Sequence, residues 1–430
     1  MAVKPVGVGI LGLGTVGRGV YRILKENAHL IEQRVGAPLV VRRILVRDTG
    51  KDRGIELESG LLTTRAEDVL DDPGVDIVAE VMGGIEPAFT YARRALLSKK
   101  SLVTANKDMV AARGKELFAA AESGGCEFLF EASVGGGIPV IRPLKLCLAA
   151  NRIKQVIGII NGTTNYMLTR MSAEGLSFEE ALREAQELGY AEADPSADVS
   201  GLDAARKLVI LASIAFNTRV ALEEVYVEGI ERMAARDITY ADELNYAVKL
   251  LAVAKEDGDG VEVRVHPAFL PKSHPLASVN GVNNAVFITG DAVGDVMFFG
   301  RGAGEMPTAS AVVADIMYAA RSRLVHSSGH IHCTCFEYKP IKPMGRTRTK
   351  YYLRLCVADR PGVLAGIAQA LGDHGVSIAS VIQKHTSGQR AEIVLVTHRV
   401  QEENLQRALR LISELDTVYE IGNVVRVEGE

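Results

Sequence analysis

Residues 6–17 read Val6-Gly7-Val8-Gly9-Ile10-Leu11-Gly12-Leu13-Gly14-Thr15-Val16-Gly17, an apolar run that enters a Gly-x-Gly-x-x-Gly loop. A strand buried on both faces reads as a near-continuous apolar run. Glycines at the mouth of a following helix let backbone N–H groups approach a pyrophosphate where the helix dipole favours negative charge. The stretch predicts a parallel strand over 6–11, a phosphate-binding loop from Gly12 through Leu13, Gly14, Thr15 and Val16 to Gly17, and a helix reaching about residue 30. Further β-rich runs follow at 39–46, 76–81, 101–104 and 127–130, most of them separated by helical patterns. This alternation predicts an α/β protein whose N-terminal domain, residues 1–135, is a doubly wound Rossmann sheet that binds a nicotinamide dinucleotide.

Outward from that domain the pattern changes. Residues 136–299 mix helical stretches at 178–188 and 203–216 with β-rich pieces at 156–160, 261–265 and 286–288, and are read as a mixed α/β domain for substrate binding and dimerisation. A helical pattern within 300–325 is expected to pack back on the first domain, and 326–349 reads as a linker. The tail, 350–430, runs strand 351–357, helix 363–372, strand 377–383, strand 391–397, helix 402–414, strand 424–427. That order is βαββαβ, a ferredoxin-like module.

Composition narrows the class. A chain of 430 residues predicts roughly three domains at about 150 residues each. Lys and Arg number 49 against 53 Asp and Glu, a formal charge of −4, which lacks the basic excess of a surface for nucleic acid or anionic membrane. Neither polymer is an expected partner. Five cysteines and a start without a secretory apolar core predict a reducing, cytoplasmic setting. His330, His332, Cys333 and Cys335 fall in the linker, and their spacing does not match a zinc site.

Several residues carry candidate chemistry. At the end of the second strand an acidic residue would bond a ribose 2′-hydroxyl and an Arg would accept a 2′-phosphate. The chain offers Arg47 beside Asp48, with Lys51 and Arg53 close by, which favours NADP(H) with NAD(H) as the alternative. No histidine lies between His29 and His266, so another group must protonate the substrate oxygen. The loop 189–203 holds Glu192, Asp194, Asp198 and Asp203 with no cation before Arg206, and suits a cationic ligand group. Lys207 follows Asp203 by four residues, on a helix face shared with Leu211 and Ile214, where a partly desolvated lysine is a usable acid. The spacing also fits an ordinary surface ion pair. Thr104-Ala105-Asn106-Lys107 and Glu131-Ala132-Ser133-Val134-Gly135-Gly136-Gly137-Ile138 each follow a strand, where doubly wound sheets place ligand loops. The second pairs a carboxylate with glycine carbonyls, a plausible hard-cation site.

The run 185–207, Ala-x-x-x-Gly-Tyr-Ala-x-x-Asp-Pro-x-x-Asp-Val-x-Gly-x-Asp-x-x-x-Lys, resembles the signature of the homoserine dehydrogenases, in the bacterial form that carries a C-terminal ACT domain. The resemblance extends to the glycine loop, to 79–84, to the two strand-end segments and to the tail, where 355–364 is similar to the ACT signature. It implies reduction of L-aspartate 4-semialdehyde to L-homoserine with NAD(P)H, on the route to threonine, methionine and isoleucine. Position by position it implies Lys207 as proton donor, Glu192 and Asp203 as binders of the substrate's amino-acid end, and Lys107 between nicotinamide and substrate. It places Gly189 and Gly302 at the cofactor pocket, and a sodium ion on Glu131 with the carbonyls of Val134, Gly136 and Ile138. For the tail it implies a regulatory amino acid, threonine being the natural end product, bound between paired domains of a homodimer or homotetramer. Two rival readings are an aspartate-semialdehyde dehydrogenase, which needs a nucleophilic cysteine, and a non-catalytic regulator that senses dinucleotide and amino acid.

Overall fold

A computed structural model of the chain describes residues 4–327 and 332–429, with the backbone alone at 384–387. His330 of the linker lies outside the described residues. Two units are formed from interleaved segments, Met1–Val156, Arg206–Leu222 and Asn284–Lys339 in one, and Ile157–Ala205, Glu223–Asn283 and Pro340–Glu430 in the other.

The first unit is built on a six-stranded parallel sheet. Its order is Leu62–Thr63, Leu39–Leu45, Val6–Leu11, Ile77–Glu80, Ser101–Thr104, Phe128–Leu129. This is the 3-2-1-4-5-6 arrangement of a Rossmann fold, with the strand order reversing at Val6–Leu11. All six residues of that strand are buried, as its apolar run requires. The following helix, expected to reach residue 30, ends at Glu26 and restarts as Ala28–Val35. Asn27 sits at the break outside helical geometry, in keeping with the tendency of Asn to favour helix ends over interiors. The helix Glu305–Leu324 sends Ala309, Val312, Val313 and Ile316 into the core that holds Val8, Ile10 and Val20. Gly19 permits the contact, because a Cβ there would stand 2.8 Å from Ala309 Cβ.

The second unit holds a long hairpin, Tyr246–Asp257 against Gly260–Pro271, in antiparallel register throughout. The sequence reading found only the first half of its second strand, at 261–265. An apolar run such as 247–254 fits a buried helix as well as a strand, and the Asp257-Gly258-Asp259-Gly260 turn is the local feature that decides for a hairpin. Beyond Gly260–Pro271 the sheet continues through Val418–Val427, Arg348–Ala358, Arg390–Thr397 and Ile378–Ser387. With the helices Val363–Asp373 and Glu402–Ser413 these last four strands make the βαββαβ module. One edge of the module is therefore occupied within the chain, by parallel pairing of Ala268 with Arg426 and Phe269 with Val427. The segment before it is also tied down. Ile341 bridges to Val261, and Lys342 pairs with Asp257.

Charged groups buried along this sheet bond one another. Arg264 donates to Glu428 at 2.7 Å and to Glu262, while Lys255 reaches Glu428 at 2.7 Å. Arg426 holds Glu402 at 2.9 Å and Glu228 at 2.7 Å, and Asp237 accepts from Arg354 at 2.6 Å and Asn423 at 2.7 Å. Burial alone would raise the Glu428 carboxyl, but Arg264 and Lys255 outweigh it and hold it well below its ordinary range. A carboxyl depressed in the folded state stabilises the fold above its unfolded pKa, about 4.3, and that contribution is lost as pH falls toward the folded value. We predict that Glu428→Gln lowers stability at neutral pH by about 3–5 kcal/mol, the cost of breaking a buried pair, and flattens the loss of stability below about pH 4. Urea unfolding at pH 7 and pH 3.5 measures both; equal deficits at the two pH values would contradict the assignment.

Candidate functional site: a dinucleotide loop and two clusters of strand-end carboxylates

The three glycines of the loop differ in surroundings. Gly12 adopts φ +101, and a Cβ on it would touch the Val81 carbonyl oxygen at 3.0 Å. A Cβ on Gly17 would lie 2.2 Å from the Gly12 carbonyl oxygen, so this glycine seats the helix Thr15–Glu26 on the loop. At Gly14 nothing lies within 4 Å of that position, which leaves the backbone open to a phosphate. Two glycines thus close the turn and the third opens it, the division of labour a dinucleotide loop needs.

Beside the loop is a cavity of about 470 Å³, lined among others by Gly12, Leu13, Arg47, Lys51, Arg53 and Thr64. Asp48 folds its carboxylate onto the N–H of Gly50 at 2.8 Å, and Arg53 donates to the carbonyls of Asp48 and Lys51, each at 2.6 Å. The acidic residue is thereby used in the turn, while the exposed Arg47 flanks the cavity.

Glu80 ends the neighbouring strand fully buried. Burial raises its carboxyl, against hydrogen bonds from Thr104, Met82, Asn106 and Gly83. The Thr104 hydroxyl donates to it at 2.6 Å and the Met82 N–H at 2.8 Å. Asn106 donates to the Gly84 carbonyl at 2.6 Å and caps the helix Lys107–Gly124 by accepting from the Met109 N–H. Lys107 opens that helix half-buried. Its neighbour Asp108 pairs with Arg206 at 3.4 Å, so the residues adjoining Lys107 and Lys207 are joined by an ion pair.

In the second unit, Asn161 brings two of the expected substrate carboxylates together. Its Nδ2 donates to Asp198 at 2.7 Å and to Asp203 at 2.9 Å, while its Oδ1 caps the helix Gly162–Glu174 through the Thr164 N–H. Asp203 is buried, and on the helix Leu202–Ala215 it lies one turn ahead of the half-buried Lys207. Glu192 stands apart, exposed in the loop, where its carbonyl accepts from Gln186 at 3.2 Å. Gly189, φ +72, follows the end of the helix Phe178–Glu187. The sequence reading gave Glu80 no role and passed over Asn161. Asn161-Gly162-Thr163-Thr164 after a strand is a helix N-cap signal that was open to reading.

The Glu131 carboxylate accepts three backbone N–H groups, from Val140 at 2.6 Å, Ile141 at 2.8 Å and Arg142 at 2.7 Å. Its own N–H donates to Asp315 at 2.9 Å. Burial pushes the Asp315 carboxyl up to about 7, against the attraction of Arg142. Gly136 adopts φ +53, and a Cβ on it would stand 2.4 Å from the Gly302 carbonyl oxygen. Three of the roughly four acceptor positions of a carboxylate are taken at Glu131. Glu131 thereby shapes the loop through backbone N–H groups. Gly302 packs against Asn284 and Gly136 and is not among the residues lining the cavity beside Gly12.

A Rossmann sheet with an open phosphate loop, joined to a carboxylate-lined unit and an ACT module, defines a nicotinamide-dependent oxidoreductase acting on CH–OH groups. The chain matches the homoserine dehydrogenase NAD-binding domain over residues 12–131, homoserine dehydrogenase over 139–317 and the ACT domain over 351–417. It is 47% identical to homoserine dehydrogenase of a Synechocystis species, over 98% of this chain and 99% of the relative, and 43% identical to that of Bacillus subtilis, over 99% of each. A crystal structure of a homoserine dehydrogenase from Thiobacillus denitrificans covers 99% of both chains at 45% identity and TM-score 0.94. A hyperthermophilic archaeal homoserine dehydrogenase in complex with NADPH covers 74% of this chain and 98% of its own, at 30% identity and TM-score 0.62. The chain belongs to the homoserine dehydrogenase family.

We predict opposite outcomes for two alanines in the loop. Gly14→Ala, with open space around it, should keep the melting temperature and weaken dinucleotide binding about tenfold or more. Gly17→Ala, with its overlap, should cost about 1–3 kcal/mol of stability. Melting curves and dinucleotide fluorescence titration separate the two, and a destabilised Gly14→Ala would contradict the division.

Proposed function

We propose that this dehydrogenase reduces L-aspartate 4-semialdehyde to L-homoserine with NADPH, with Lys207 as the proton donor, on the biosynthetic route to threonine, methionine and isoleucine. The observation that carries the reading is Asn161 holding Asp198 and Asp203 together one helical turn ahead of Lys207. A pair of carboxylates is the natural receptor for the substrate's ammonium group, and the exposed Glu192 of the same loop would add a third. The bound dinucleotide supplies the hydride. As the carbonyl oxygen takes up negative charge, the Lys207 ammonium gives it a proton and is left as a neutral amine, to be reprotonated from water. Lys107 opens a helix at its positive end and lies next to the Asp108–Arg206 pair, which favours a positioning role beside the reacting groups.

NADPH is favoured over NADH by Arg47, Lys51 and Arg53 around a cavity whose one acidic neighbour, Asp48, is engaged in its own turn. The NADPH bound by the archaeal relative agrees with it. Sodium is proposed at the carbonyls of Val134, Gly136 and Ile138, shaped by Glu131. A second copy of the chain is the proposed partner, supported by the strand Gly294–Arg301, where Met297 and Phe299 are 40% and 56% exposed. The ACT module is proposed to bind threonine. No helix among the described residues is long and apolar enough to cross a membrane, in keeping with a proposed cytoplasmic site. The thioester reading loses support at Cys126, whose thiol burial pushes up to about 12.

Lys207→Ala should leave dinucleotide affinity near normal and lower kcat by about 100-fold or more. A kcat within a few-fold of the parent would move the proton donor elsewhere, with Lys107 tested next. No NADPH oxidation at all by the parent with the semialdehyde would favour the sensing regulator instead. Arg47→Ala should raise KM for NADPH about tenfold while leaving that for NADH unchanged, since only the 2′-phosphate loses a charge-assisted partner. Steady-state rates with both cofactors measure it, and an unchanged preference would return Arg47 to solvent.

A further inference from the structure

Outside the site described above, the first unit holds a pocket where Lys145 and Arg219 meet two cysteines, with Glu116 also on its wall. Lys145 is 8% exposed, with its ammonium 4.8 Å from the centre of the Phe118 ring and 5.6 Å from that of Phe130. Its Nζ has no hydrogen-bond partner among the described residues. A buried ammonium held only by ring faces is costly unless an anion shares its surroundings. The groups that share them are the sulfurs of Cys333 and Cys335 and, after them, the carboxylate of Glu127. A cavity of about 290 Å³ is lined by Lys145, Arg219, Cys333, Thr334 and Cys335, and Cys333 and Arg219 also face a second cavity, of about 510 Å³, with His332.

We propose that Cys333 and Cys335 are a thiol-oxidation site, in which a peroxide converts Cys333 to a sulfenic acid and Cys335 then closes the disulfide, with Lys145 and Arg219 stabilising the reacting thiolate. Arg219 donates to Cys333 Sγ at 3.7 Å, and Cys335 Sγ faces the Ser213 carbonyl at 3.8 Å. The thiol of Cys335 as a donor, then the charges of Arg219 and Lys145, bring Cys333 down to about 5 against the effect of burial. Cys335 moves in the opposite direction. One sulfur is therefore the nucleophile and the other the resolving thiol, a division that reactive pairs share. Both sulfurs are half-buried and border a cavity, whereas Cys126, on the wall of the second cavity, is buried. Residues two apart are at most about 7 Å apart at Cα, within reach of a disulfide. A metal is disfavoured by the two cations, and among the described residues no three His, Cys, Asp or Glu side chains are grouped to hold one.

The steps balance. The Cys333 thiolate attacks one peroxide oxygen, so an S–O bond forms and the O–O bond breaks. The departing hydroxide takes the proton of the Cys335 thiol and leaves as water. The Cys335 sulfur then attacks the Cys333 sulfur, the S–S bond forms, the S–O bond breaks, and the second hydroxide is protonated from solvent. Two thiols are oxidised and one peroxide is reduced to two waters.

The test uses the full chain with hydrogen peroxide as oxidant and iodoacetamide as probe, read by peptide mass spectrometry. At pH 6.5 Cys333 should alkylate about tenfold or more faster than the exposed Cys147, and Lys145→Met should reduce that rate about fivefold. Peroxide should remove about 2 Da from the peptide that holds both cysteines, and Cys335→Ser should stop at a sulfenic acid that dimedone traps on Cys333. Should Lys145→Met fail to fold, the unaltered chain decides alone. Alkylation of Cys333 no faster than that of Cys147, or both cysteines still open to alkylation after peroxide, overturns the proposal.

Discussion

A carboxylate taken out of water must be matched by donors, and at two strand ends of the Rossmann sheet the donors come from the loops that shape the site. Glu80 collects the Met82 N–H and the Thr104 hydroxyl, while Glu131 collects three successive N–H groups at residues 140–142. Each bond exchanges a hydration shell for one fixed backbone position. The loops at 82–84, 104–107 and 131–142 are therefore ordered by buried charge more than by packing, which suits segments that must stay polar and close to a ligand. Replacing either carboxylate by an apolar group would leave several N–H groups without partners at once, so their cost is shared across whole loops.

The parts of the fold legible in sequence were those with local signals. The glycine loop, the apolar strand before it and the βαββαβ order of the tail are each written in consecutive residues, and the structure has them where those residues lie. Arg47, Asp203 and Lys207 were readable because helix and strand periodicity place them at element ends or on one helix face. Glu80 was not, since its value lies in a partner 24 residues away, and Asn161 offered only its helix-cap signal, its bond to Asp198, 37 residues away, being announced by no local pattern. The strand Gly294–Arg301 was missed for a different reason. Its side chains alternate only between exposed and half-buried, with none buried, so the apolar pattern that marks a strand is weak.

The ACT module illustrates the same limit at larger scale. Its internal order was evident, but its attachment was not, because the pairing of Ala268 and Phe269 with Arg426 and Val427 is set by residues far apart in the chain. The module shares a sheet with the hairpin Tyr246–Asp257 and Gly260–Pro271 and is crossed there by the Arg264–Glu428 and Arg426–Glu228 pairs. A module attached in this way transmits displacement through strand register and ion-pair geometry, which are stiff, and not through a tether.

That shared sheet also bears on how the chain reaches its structure. Arg264 and Glu428 are separated by 164 residues, and the strand Val418–Val427 is the one that links the hairpin to the rest of the module. During synthesis at about 5–20 residues per second, Gly260–Pro271 waits roughly ten seconds or more for its neighbour, with the edge at Ala268 and Phe269 open and Arg264 paired to Glu262 but not yet to Glu428. Contacts of such separation also slow the search for the native state. Arg264 on the waiting strand and Lys255 on its hairpin partner, as charges, keep the hairpin soluble and unattractive to other strands until Glu428 arrives, so the ion pairs that hold the finished sheet guard the unfinished one.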